Sequence, residues 1–138
     1  MIENTVDLTA SAIDCSSGDI VQALTIPASH VILWAGFQVT ESATMNTGTN
    51  ATATLGTAVD PNEYVTAFDI DGAADAAYAP TVAQAGVLVT ATADTMDLTF
   101  AGDGATFSAG KIRVFCLLMD VSELSPRTAN EVDRDLLA

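Results

Sequence analysis

The sequence predicts an all-β protein, a jelly-roll-like antiparallel sandwich of about eight strands. Three observations predict it. Apolar and polar residues alternate with a period of two along most of the chain. Gly, Pro and Asp turn signals punctuate it every 8–15 residues or so. No stretch offers the dozen-residue helical crossover that a parallel sheet needs. Eight strands at this spacing suit the two Greek keys of a jelly roll.

The elements follow in order. Val6, Leu8 and Ala10 alternate with Thr5, Asp7 and Thr9, a strand with one wet face. Ser16-Ser17-Gly18-Asp19 makes a turn. The next run places Ile20, Leu24 and Ile26 on one side, and Pro27 ends it because proline cannot donate to a ladder. The strongest strand spans 31–40. Val31, Leu33, Ala35, Phe37 and Val39 share one face; Ile32, Trp34, Gly36, Gln38 and Thr40 share the other. Residues 41–50 read as a polar loop, and 51–55 as a thin strand of small residues. After the Asp60-Pro61-Asn62 turn, Tyr64, Thr66, Phe68 and Ile70 share a face. Residues 73–85 fit either an irregular loop or a short helix. Val87, Val89 and Ala91 mark one further strand, and Met96, Leu98 and Phe100 another. The last strand runs 111–121 and is apolar on both sides. One side carries Ile112, Val114, Cys116 and Leu118; the other carries Arg113, Phe115, Leu117, Met119 and Val121.

These elements make one β-sandwich domain over 1–121. The polar remainder, 122–138, is a short C-terminal tail or docking arm. Ser125-Pro126 is a helix-opening pair, and Val132, Leu136 and Leu137 would then form a small apolar stripe.

Charge narrows the partners. The 138 residues hold 18 acids against 4 bases, a net charge of −14, and Lys111 is the first base in the chain. Phosphate backbones and anionic bilayers both demand cations, so neither nucleic acid nor membrane is expected as a partner. The opening Met1-Ile2-Glu3-Asn4-Thr5 has an acid where a secretion signal has bases. Synthesis in a reducing cytosol is therefore expected, with Cys116 a buried thiol. Under that expectation the sequon Asn50-Ala51-Thr52 carries little meaning.

Catalytic chemistry has little to work with. His30 is the sole histidine and sits in a strand-entry turn, and two cysteines with one histidine are too few for a zinc site. No catalytic residue is assigned, and an enzyme is not expected. One turn has the look of a ligand set. Asp69, Asp71 and Asp75 surround Gly72, and hard oxygen donors on a turn suit Ca2+. No helix flanks it and the twelfth-position Glu of a calcium loop is missing. The expected cofactor is none, with Ca2+ at Asp69, Asp71 and Asp75 as the one candidate.

The two strands with apolar residues on both faces suggest a second layer beyond the core. Trp34 and Phe115 lie on these second faces, as do Ile32, Leu117 and Met119. With Leu136 and Leu137 of the tail, they are the candidate subunit contacts, because a large apolar area on an outer sheet face needs covering.

Over residues 5–121 the texture resembles a known group. The carriers are Val6-Asp7-Leu8-Thr9, the Ser-Gly-Asp turn before a strand ending Ile26-Pro27-Ala28, and Val31-Ile32-Leu33-Trp34-Ala35-Gly36-Phe37-Gln38-Val39-Thr40. The Asp-Pro-Asn-Glu-Tyr turn, Ala93-Asp94-Thr95-Met96-Asp97-Leu98-Thr99-Phe100 and Ala109-Gly110-Lys111-Ile112-Arg113-Val114 complete the set. They resemble small structural proteins of tailed bacteriophages, notably of marine hosts. More loosely they resemble capsid decoration or cement proteins, sandwich or jelly-roll modules that often trimerise on the outer head surface. The resemblance implies a virion component made in the host cytoplasm, with itself (as a homotrimer) and a major capsid protein as partners. It supplies no motif from which to assign functional residues. A tail or head-fibre receptor-binding module and a carbohydrate-binding sandwich are the alternative readings.

Overall fold

The computed structural model describes residues 1–10, 15–72, 77–78 and 92–122. Eight strands run in the order β1 (Ile2–Asp7), β2 (Ile20–Ile26), β3 (His30–Met45), β4 (Ala51–Gly56), β5 (Val65–Asp69), β6 (Ala77–Tyr78), β7 (Asp94–Gly102) and β8 (Phe107–Asp120). Seven are full strands, while β6 is two residues long. They form two antiparallel sheets, ordered β1-β8-β3-β6 and β2-β7-β4-β5. First pairs with last, second with seventh, third with sixth and fourth with fifth. That nested pairing is the jelly-roll winding.

Alternation explains the core. From the first sheet Val6, Ala35, Phe37, Val39, Ile112, Val114 and Cys116 point inward; from the second come Leu24, Ile26, Ala53, Leu55, Met96, Leu98 and Phe100. Two edge-on aromatic contacts knit the interior, Phe37–Phe68 at 5.7 Å and Phe100–Phe107 at 5.5 Å between ring centroids. Asn4 Nδ2 donates to the Ala23 carbonyl at 3.0 Å and ties β1 to β2 across the sandwich edge. Gly110, at φ 133°, lies where Leu8 and the Ala43 backbone close in on β8. A side chain there would be both strained and crowded.

The structure departs from the sequence reading in four places. β3 continues through Met45, with Ala43 and Met45 buried, so the polar loop shrinks to 46–50. The register of β2 slips between Gln22 and Leu24. The slip keeps Leu24 and Ile26 in the core but turns Ile20 out to solvent. A second slip in β3, between Ile32 and Trp34, has the same effect on Ile32, as described below. The short β6 falls within the 73–85 stretch, which the sequence reads as an irregular loop or a short helix, whereas the strand expected at 87–91 lies outside the described residues. So does the tail beyond Ser122.

Candidate interaction surface

The outer face of β1–β8–β3 divides into a charged half and an apolar half. Register defines both. Asp7 pairs with Lys111 and Thr5 with Arg113 on one side of β8; Glu41 and Gln38 pair with the same two residues on the other. Lys111 Nζ lies 2.8 Å from Glu41 and 3.7 Å from Asp7, clasping β3 and β1 across β8. Those two carboxylates raise the Lys111 pKa, the Glu41 hydrogen bond most of all. Arg113 is held by Glu3. All these side chains are substantially exposed, so their worth to stability is small.

Further along the same strands the face turns apolar. Leu117 pairs with Trp34, and Met119 with Val31. Trp34, Leu117 and Met119 are 46%, 42% and 45% exposed, and Leu33 and Met1 are exposed as well. Five of the seven large hydrophobic residues exposed among the described residues thus belong to this end of one sheet or its leading residue. Phe115 lies beneath Trp34. Their rings stack with centroids 4.8 Å apart and planes 19° from parallel, which leaves Phe115 only 7% exposed. Met1, Trp34, Arg113 and Phe115 line a shallow open pocket of about 180 Å3 where the two halves meet.

The predicted contact residues separate accordingly. Trp34, Leu117 and Met119 share the outer face, with Phe115 as the floor beneath Trp34. Ile32 is corrected: it is 3% exposed and sits in the core. The bulge between Ile32 and Trp34 adds a residue opposite Leu117–Leu118, so the faces exchange there. Val31 takes the outer position opposite Met119, and Leu33 joins the exposed set, which periodicity alone assigned to the other face. Leu136 and Leu137 lie outside the described residues.

The aspartate turn has a local explanation. Asp69 Oδ1 accepts the backbone N–H groups of Asp71 at 3.1 Å and Gly72 at 2.8 Å. The Gly72 bond is the main reason its pKa is lowered. Asp71 moves the other way, raised first by desolvation and then by its hydrogen bond with Asp69. Asp75 lies outside the described residues, and among the described ones no three His, Cys, Asp or Glu side chains gather as a ligand set. His30 Nδ1 is engaged with the Ala28 carbonyl at 2.9 Å, and Asp120 faces it across the ladder. No helix among the described residues is long and apolar enough to cross a membrane.

The fold and this surface define a class: an all-β jelly-roll sandwich with an apolar half-face that is exposed among the described residues. No protein-family model matches the sequence, and no curated protein does. Among solved structures, a chain of the "Cyanophage Pam1 capsid asymmetric unit" superposes with a TM-score of 0.59 at 20% identity. The match covers 84% of this chain and 79% of that one, and the likeness is one of fold.

Proposed function

We propose that this chain is a non-enzymatic structural protein of a phage virion, and specifically a capsid decoration protein. It sits on the outer head surface as a homotrimer and binds between capsomers of the major capsid protein. The apolar half-face around Trp34, Leu117 and Met119 carries this reading, on a jelly roll that resembles in fold a chain from a cyanophage capsid. A surface of this kind is ordinarily covered by protein. A threefold assembly would give each small domain a second apolar layer between copies. Repetition over a shell then multiplies modest contacts into firm attachment. The net charge of −14 opposes non-specific clumping of the free protein and gives nucleic acid nothing to hold.

The test is co-sedimentation of the purified protein with shells assembled from the major capsid protein of the same phage. Saturable binding that Trp34→Ser and Leu117→Ser weaken supports the proposal. Shells that pellet without the protein overturn it.

A further inference from the structure

Four described side-chain oxygens are buried without a hydrogen-bond partner: Thr54 Oγ1, Asp71 Oδ2, Asp97 Oδ1 and Thr99 Oγ1. Three of them belong to one patch on the second sheet. β4 and β7 pair in unbroken register from Ala51↔Gly102 to Gly56↔Asp97, which sets Thr54 directly opposite Thr99. Met96, Leu98 and Phe100 occupy the core, so Asp97 and Thr99 alternate onto the outer face, and Thr54 joins them.

The three oxygens are nevertheless out of reach of water, although Ile20, opposite Thr99 on β2, is exposed. Asp97 is only 4% exposed. Part of its roof is the segment after β4, which folds back over Gly56, the residue opposite Asp97. A Cβ on Gly56 would lie 2.0 Å from the Asp60 carbonyl oxygen and 2.4 Å from the Pro61 carbonyl carbon. A carboxylate oxygen removed from water and given no donor is costly, and the usual remedy is a cation. Among the described residues none is supplied here. The chain's first Lys or Arg is Lys111. Lys111 and Arg113 both belong to the opposite sheet, where Glu41, Asp7 and Glu3 hold them.

We propose that Asp97, Thr54 and Thr99 bind a hard, oxygen-coordinated cation of Na+ or Ca2+ size. Asp97 brings the charge, the two hydroxyl oxygens act as neutral ligands, and water completes the shell. Asp69 belongs to a separate turn, where its Oδ1 accepts the backbone N–H groups of Asp71 and Gly72, and serves as the control. The inference is independent of the decoration role.

Thermal melts of chelator-treated protein test it, with NaCl or CaCl2 replacing choline chloride at constant ionic strength. The wild type is expected to melt higher with one of the two cations. Asp97→Asn is expected to lose the response, Asp69→Asn to keep it, and the double variant T54V/T99V to need more cation for the same shift. Crystals of the wild type grown with the responding cation provide a second readout that needs no variant to fold. A sphere touching all three side chains at cation distances, about 2.3–2.6 Å for Ca2+, supports the site. An unchanged melt, an equal response in Asp97→Asn, or a water at hydrogen-bond distances in the crystal overturns it.

Discussion

Trp34 lies flat against Phe115, one from β3 and one from β8, with ring centroids 4.8 Å apart. Gly36 is the residue directly opposite Phe115 and has no side chain to occupy the space there. The stack makes Trp34 a lid: its inner face covers Phe115 while much of its surface remains outside. Its main role is therefore at the surface. Trp34→Ser is expected to fold, to forfeit a stacking contribution of about 1 kcal/mol along with some burial, and to lose self-association. Phe37→Ala, deep in the core, is expected to cost about 3–5 kcal/mol. Urea unfolding with light scattering on both variants separates the two roles.

Gly56 is irreplaceable for a reason of space. Any Cβ there meets backbone atoms of Asp60, Pro61 and Asn62, none of which can rotate away. Gly56→Ala should destabilise by about 1–3 kcal/mol, measured by chemical denaturation, as the β4–β5 loop lifts. A neutral result would mean that this loop does not press on the sheet.

Acid should loosen the loops before the sheets. Asp103 Oδ1 accepts the backbone N–H groups of Thr49 and Asn50, each at 2.9 Å, and holds the β3–β4 turn. The Asn50 bond is the largest cause of its pKa falling below the ordinary 3.8. Asp19 is lowered similarly by Ser16. A depressed folded pKa contributes stability that is present above the unfolded value and lost as pH falls through the folded one. Melting temperature should therefore drop below about pH 4, and Asp103→Asn should flatten that drop. Asp71, with its raised pKa, works in the opposite sense, because the folded state gains on protonating it. Melts between pH 6 and pH 2 on the wild type, Asp103→Asn and Asp71→Asn check both signs.

Cys15 and Cys116 are both buried, and Cys116 is a free thiol. Burial pushes the Cys116 thiol up to about 11, so almost none of it is thiolate near neutrality. A thiol reagent at pH 8 should label Cys116 only as fast as the sandwich opens, and promptly in denaturant. Immediate labelling of the native protein would show that the β8 core position is exposed in solution.

Period-two alternation carried most of the fold into view, because each sheet has one face on the core and strand phase follows burial. It failed where the backbone inserts a residue. The bulges before Leu24 and Trp34 moved Ile20 outward and Ile32 inward. A bulge exchanges two faces without altering composition, so hydrophobicity alone does not mark it. Residues 41–45 were hidden differently. Ala43 and Met45 keep the inward phase, but polar neighbours at Glu41, Ser42 and Thr44 made the stretch resemble a loop. The outer face was legible through Trp34, Leu117 and Met119, since large apolar groups on a strand's second side stand out. Asp97 was not legible. An acid alternating with Met96 and Leu98 looks like any wet-face residue until the loop over Gly56 is seen to close on it.

The most direct measurement is a cryo-electron microscopy reconstruction of virions that carry this chain. The account predicts copies in threefold clusters on the outer head surface, with Trp34, Leu117 and Met119 buried against another protein surface. Copies found elsewhere in the particle, or attached with that face open to solvent, would contradict it.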